Sequence, residues 1–299
     1  MQREAEATAT HGTADDSPPT ADDAASGLIA GRYELCELIA EGGMGAVYRA
    51  IDRALGREVA IKFVKALDAS ATALRRFRDE SRIAGQLQHP AIPPVHDLGE
   101  LADGRPYLAM KLIKGRTLGD LIRERGADAP STFLPIFEQL CQAIAYAHSR
   151  GVIHRDLKPA NVMVGAFGEV QVMDWGLSKV LSGDVPVEEA YDESTRDAAS
   201  RIDDPRADSS EPGTQTGSLL GTPAFISPEQ AAGAKGHVDR RADVFGLGAI
   251  LCVILTGKPP YDGPDVRLLA LRGKLDDCFR RLDASGADPE LIALAKHCL

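Results

Sequence analysis

His154-Arg-Asp-Leu-Lys-Pro-Ala-Asn161 is the most informative run in the chain. It sets a carboxylate (Asp156), a cation (Lys158) and an amide (Asn161) within a few residues, directly after a run with helical periodicity. A chance match to such a string is improbable. Downstream, Met173-Asp-Trp-Gly176 places a second carboxylate, Asp174, 18 residues after Asp156. By itself that tetrapeptide is an ordinary turn; at this spacing it offers oxygen ligands for a hard cation. Upstream, Val59-Ala-Ile-Lys62 puts a lysine in an apolar strand-like run. Two readings of Lys62 stay open. It lies on the solvent face of an edge strand, or it is buried opposite an anion, because an unpaired buried ammonium is costly. Glu80 is a possible partner, although taken alone it reads as a solvated helix carboxylate. Further upstream, Ile39 to Val47 (IAEGGMGAV) is glycine-rich. Such a hairpin is most often only a turn, but Gly42 and Gly45 also let backbone N–H groups approach a polyphosphate.

Around these motifs the chain divides in two. Arg32 to Ile39, Gly45 to Ile51, Arg57 to Val64, Ile92 to Leu98 and Pro106 to Ile113 have strand-like composition. Ala73 to Leu87, with Leu74, Phe77, Ile83 and Leu87 among charges, suits one amphipathic helix. From Thr117 the pattern is helical. Ser131 reads as the cap of a helix to about His148, with Phe133, Phe137, Leu140, Ile144 and Ala147 on one face. Short apolar stretches follow at Asn161 to Val164 and Glu169 to Met173, and residues from Ser227 to Leu299 are helical in pattern. The expected fold class is therefore α+β. It has two lobes: a small β-rich lobe with one main helix over 31–113, and a larger helical lobe over 114–299.

With these motifs in this order, the chain resembles the eukaryotic-like serine/threonine protein kinase family, and EGGMGAVYRA with GTPAFISPEQ resembles its bacterial members most. The resemblance covers about 30–299 apart from an acidic loop. It implies a bilobal kinase fold, ATP and Mg²⁺ as cofactors, and serine or threonine hydroxyls of protein substrates as acceptors. It further implies that Ile39, Ala40, Glu41, Gly42, Gly43, Met44, Gly45, Ala46 and Val47 cover the ATP phosphates. Lys62 would pair with the phosphates and with Glu80. Ala60, Val47 and Met163 would sandwich adenine, with Met110 at the back of the pocket and Lys111 to Ile113 as the hinge. Asp156 would orient the substrate hydroxyl, Lys158 would sit near the transferred phosphoryl group, and Asn161 and Asp174 would hold Mg²⁺. Gly221 to Glu229 resembles the substrate-positioning loop, and Asp243 the buried aspartate that steadies the catalytic loop. Autophosphorylation is expected on one or more of Thr214, Thr216 and Ser218.

Three departures from the family pattern stand out. Ala40 replaces a glycine, Trp175 replaces a phenylalanine, and the family continues past the point matching Leu299. The C-terminal end is thus expected to be truncated, leaving Glu229 without its usual arginine. These departures favour a nucleotide-binding pseudokinase scaffold as the alternative. The intact set Lys62, Asp156, Asn161 and Asp174 opposes it. A small-molecule phosphotransferase is disfavoured by the resemblance of Gly221 to Glu229 to a protein-substrate loop.

Composition bounds the rest. The 299 residues carry a formal net charge of −10, with 44% hydrophobic and 5% aromatic residues. The acidity is concentrated. Residues 1–31 hold six acidic groups and one basic, and residues 183–213 hold ten acidic and three basic. Both read as disordered, an acidic tail over 1–30 and an acidic insert over 183–213. Neither the balance of charge nor the few aromatics suits nucleic-acid binding. Five cysteines without a C-x-x-C pair fit a reducing, cytoplasmic setting. The longest uncharged apolar run, Val244 to Gly257, is too short to span a bilayer, so no membrane segment is expected.

Overall fold

Strand β1 (Tyr33–Gly42) and strand β2 (Gly45–Asp52) form an antiparallel hairpin in register from Tyr33↔Asp52 to Gly42↔Gly45. The turn demands glycine. Gly45 has φ +143°, and a Cβ there would lie 2.2 Å from the Phe63 carbonyl oxygen. This is a computed structural model, and it describes residues 28–42, 45–65, 70–125, 130–180, 222–233 and 238–299. The hairpin continues into β3 (Arg57–Phe63), whose Val59, Ala60, Ile61 and Phe63 are buried, as an apolar run predicts. With β4 (Val95–Glu100) and β5 (Pro106–Lys111) these strands make a five-stranded antiparallel sheet in the order β1-β2-β3-β5-β4.

Helix α1 (Ala71–Gln86) packs on this sheet. Ser70 caps it by accepting the Ala73 N–H, and its buried face carries Phe77 and Ile83. The fourth strand starts three residues later than the apolar run suggested. Ala91 and Ile92 are a buried loop that joins the core of the helical region, held by the bond from Val172 N to Ala91 O. Ile29, within the stretch expected to be tail, is also buried. It bridges to Tyr33 and joins the sheet's core cluster, because its side chain is apolar and the preceding acidic residues are not. The remainder of the expected tail and the whole 183–213 insert lie outside the described residues.

Arg32 fastens the start of the sheet. Its guanidinium makes a two-pronged bond to the fully buried Asp52 carboxylate at 2.9 and 2.8 Å. Asp52 also accepts N–H bonds from Ala54 and Leu55, closing the turn to β3.

The second region begins with β6 (Gly115–Thr117), α2 (Leu118–Arg125) and α3 (Pro130–Ser149). Helix α3 begins at Pro130, so Ser131 lies inside it and is not its cap; proline's fixed φ suits a first turn. Its predicted face holds: Phe133, Leu140, Ile144 and Ala147 are buried and Phe137 is partly so. Three short pairs of strands follow: β7 (Val152–Ile153) against β10 (Lys179–Val180), and β8 (Val162–Gly165) between β6 and β9 (Val170–Val172). Then come α4 (Pro228–Ala231), α5 (Arg240–Thr256), α6 (Val266–Leu271), α7 (Asp276–Asp283) and α8 (Pro289–Cys298).

Helix α5 is the axis of this region, with twelve of its residues buried from Ala242 to Leu255. Two glycines thin it. A Cβ on Gly246 would meet Leu157 at 2.8 Å, and one on Gly248 would meet Cys298 at 2.7 Å. The catalytic-motif loop and α8 therefore rest directly on its backbone. All five cysteines are free thiols. Among the described residues, no helix is long and apolar enough to cross a membrane.

Candidate active site

A cleft of about 500 Å³ opens between the five-stranded sheet and the helical region. On β2 and β3 period-two alternation decides which residues reach it, while β1 is irregular between Leu38 and Ala40 and offers three in a row. Ile39, Ala40 and Glu41 from β1, Gly45 and Val47 from β2, Ala60 and Lys62 from β3, and Met110 from β5 line it. Glu80 of α1, Met163 of β8 and Asp174 line it as well. Ala46, between two lining residues, faces the other way and is buried in the sheet's core cluster. Gly42 ends β1 opposite Gly45. Gly43 and Met44 lie outside the described residues, as do Thr214, Thr216, Ser218 and Gly221. Ala40 is absent from the residues with positive φ, so its methyl group adds no backbone strain. Of the hinge stretch, Lys111, Leu112 and Ile113 all line the cleft.

Lys62 is neither stranded nor on an edge. The third strand is central in the sheet, and Lys62 Nζ reaches Asp174 Oδ1 at 3.5 Å. Glu80 shares the cleft wall. Asp174 adopts a left-handed backbone, φ 59°. Desolvation at the cleft floor works against its charged form. Lys62 foremost, with Lys158, outweighs that and holds its pKa below the usual carboxylate value.

The Asp156 carboxylate is buried and held from three sides. Lys158 Nζ is 2.7 Å from Oδ2, Asn161 Nδ2 is 3.1 Å from Oδ2, and the Thr222 amide donates to Oδ1 at 3.3 Å. Asn161 Nδ2 also donates to the Asp156 carbonyl at 2.8 Å. Lys158 donates in addition to Thr222 Oγ1 at 2.9 Å. The sequence therefore brought together the intended residues, with Thr222 arriving from 66 positions downstream.

Asp243 supports this loop from α5. It is almost fully buried and accepts from the backbone N–H groups of His154 and Arg155, both at 2.8 Å, and from His148 Nε2 at 2.8 Å. His154 accepts the Asp156 N–H at Nδ1 and faces the Met173 carbonyl at Nε2. Only the neutral imidazole with its proton on Nε2 makes both bonds. Trp175, in place of phenylalanine, packs on His154 with ring centroids 4.7 Å apart. Its indole N–H donates to Val172 O at 3.0 Å, an anchor a phenylalanine lacks. His148 and Gln230, which donates to Arg155 O at 2.8 Å, escaped the sequence reading. Their partners lie 95 and 75 positions away, and no local pattern signals them.

The donor set fits a small hard cation. Asn161 spends its Nδ2 on Asp156, which leaves its side-chain oxygen Oδ1 as the ligand atom, and the Met173 N–H, bonded to the Asn161 backbone carbonyl, ties this residue to the Asp174 segment. Among the described residues no group of three or more His, Cys, Asp or Glu side chains could hold a metal alone. One carboxylate and one amide oxygen suit an ion that completes its shell with water and phosphate oxygens, as Mg²⁺ does.

Comparison with known proteins agrees with this geometry. The protein kinase domain family matches residues 33–285. Over 279 residues the chain is 38% identical to the serine/threonine-protein kinase PknB of Mycobacterium tuberculosis, covering 90% of this chain and 40% of that protein. It is 39% identical over 240 residues to a probable serine/threonine-protein kinase of Corynebacterium efficiens, covering 79% of this chain and 32% of that protein. A probable PknB of Corynebacterium glutamicum is 36% identical over 240 residues, 79% of this chain and 33% of that protein. The chain thus spans about a third to two fifths of the length of these curated relatives.

Proposed function

The chain belongs to the protein kinase family, and from that premise we propose that it transfers the γ-phosphoryl group of ATP to serine or threonine hydroxyls of proteins. The observation that carries this reading is the Asp156 carboxylate, buried and pinned by Lys158, Asn161 and the Thr222 amide. A carboxylate so fixed can receive the proton of a substrate hydroxyl and aim the oxygen's lone pair at phosphorus. Lys158, within 2.7 Å, offsets charge on the phosphoryl oxygens in the transition state.

Adenine suits the apolar walls formed by Val47, Ala60, Met110 and Met163, and the hinge 111–113 offers backbone groups to its edge. Lys62 is the cation for the inner phosphates, with Glu80 as the partner that steadies it once phosphate takes its place beside Asp174. Asn161 and Asp174 are the residues for Mg²⁺, which when bound neutralises the β- and γ-phosphates. In this reading 31–113 and 114–299 are the two lobes, and the 183–213 insert sits in the segment before Thr222. Thr214, Thr216 and Ser218 are its phosphate acceptors, with Arg155 as a cation for one of them. Five free thiols suit a cytoplasmic setting.

The test is transfer from γ-labelled ATP·Mg²⁺ to a generic protein substrate by the chain and its Asp156→Asn variant. The variant should lose at least ~100-fold in rate while still binding nucleotide. Nucleotide binding by the unmodified chain without any transfer to protein would overturn the reading.

A further inference from the structure

The peptide unit between Arg155 and Asp156 sets the direction in which the Asp156 side chain leaves the backbone. Arg155 has φ 71°, a left-handed conformation that a non-glycine residue seldom takes and that surrounding contacts must enforce. Three contacts do so. The Arg155 N–H is held by Asp243 Oδ1 at 2.8 Å, and the Asp156 N–H by His154 Nδ1 at 3.2 Å. The carbonyl between them is held by Gln230 Nε2 at 2.8 Å. Asp243 and His154 belong to the helix and loop already described. Gln230 comes from α4, in the segment whose other end, Thr222, touches Asp156 and Lys158.

Gln230 is itself oriented. Its Oε1 accepts from Ser227 N at 3.3 Å and from Ser227 Oγ at 3.2 Å. With the oxygen committed to Ser227, the amide nitrogen is the group turned to Arg155. The bridge therefore needs an acceptor at one end of the side chain and a donor at the other, which among the common side chains of this length only glutamine supplies at neutral pH.

We propose that Gln230 is a positioning residue for phosphoryl transfer: it fixes the Arg155–Asp156 peptide plane and makes the aim of Asp156 depend on docking of the 222–230 segment. The proposal rests on the phosphotransfer reading above. Segment 222–230 grips the catalytic loop at two points, at the carboxylate through Thr222 and at the backbone behind it through Gln230. A displaced segment releases both, so substrate-side order and catalytic geometry change together.

Gln230→Glu and Gln230→Met separate this role from simple packing. Glutamate keeps the acceptor for Ser227 but cannot donate to Arg155 O while ionised; protonated, it can. Methionine fills the space and does neither. The groups around the bridge are Arg155, Asp156, Lys158 and His154 on the catalytic loop, His148 on α3, Asp243 and Arg241 on α5, and Glu229 on α4. They are shared by all three proteins, so each variant is read as a ratio to the unmodified chain at the same pH. At pH 8 both variants should lose about 10-fold in kcat, with KM for ATP within about two-fold of the unmodified chain. Unchanged kcat in either variant, or a loss confined to KM for ATP, would overturn the proposal. An unmodified chain that transfers nothing overturns the phosphotransfer reading and this one with it. An active chain with indifferent variants overturns this one alone.

Discussion

The Lys158 ammonium lies 2.9 Å from the hydroxyl of Thr222, while the same ammonium holds Asp156 Oδ2 at 2.7 Å. A threonine hydroxyl is thus the acceptor that keeps Lys158 beside the reacting carboxylate instead of swinging to solvent. Thr222→Val removes that acceptor and keeps the shape; Thr222→Ser keeps the acceptor. The valine variant should lose about 10-fold in kcat on a protein substrate, the size of one charge-assisted hydrogen bond. The serine variant should stay within about three-fold of the unmodified chain. A serine variant as slow as the valine one would show that the methyl group, not the hydroxyl, matters.

Asp52 gives the sheet a pH-dependent fastening. The Arg32 guanidinium, opposed by burial, holds the Asp52 pKa at about 2, below its ordinary value near 3.8. A carboxylate whose pKa is depressed on folding adds stability that is complete above the unfolded value and is lost as pH falls toward the folded one. Asp52→Asn should therefore lower the melting temperature by the same amount at pH 7 and pH 5. The gap should narrow at pH 3. A gap that widens on acidification would exclude this account.

Gly45 is set where no side chain fits. Its φ of +143° and the approach of the Phe63 carbonyl leave a Cβ only 2.2 Å from oxygen. Gly45→Ala should cost roughly 2 kcal/mol, through strain and displacement of the hairpin. Because Gly45 lines the cleft, ATP affinity should fall with stability. Urea unfolding and nucleotide titration measure the two effects. Unchanged values in both would mean that the hairpin relaxes freely.

What the sequence disclosed was local. His154 to Asn161 and Asp174 could be singled out because their chemistry is packed into short strings, and the fold brings them to one cleft. The strands of the first lobe read correctly because alternation and composition agree over each run. Ala46 shows where a string misleads: membership in a glycine-rich loop says nothing of the strand face, and it turns into the core. Ile92 is apolar like a strand residue yet fills the other lobe's core from a loop, since burial has the same composition in both settings. Ser131 has a cap's chemistry, but the proline before it already begins the helix. Glu229, expected to lack its usual arginine, is half-buried. The Arg241 pKa, raised mainly by Asp239, is raised in smaller part by Glu229, so that carboxylate lies within electrostatic reach of a cation on α5. His148 and Gln230 were illegible because each acts through a partner that only the folded chain brings near.

The buried axis α5 has a consequence for how the molecule fails. Catalytic-loop Leu157 sits on its backbone at Gly246, α8 sits on it at Gly248, and Asp243 grips the loop from its first turn. From Gly248 to Leu255 the helix is buried at every position, which leaves those amides no shallow route to solvent, so they should exchange hydrogen only when the whole lobe opens. The loop that carries Asp156 inherits that footing. Heat or denaturant should leave catalysis nearly intact up to the edge of global unfolding and then abolish it in the same step, whereas the hairpin of β1 and β2, open on one face, exchanges long before.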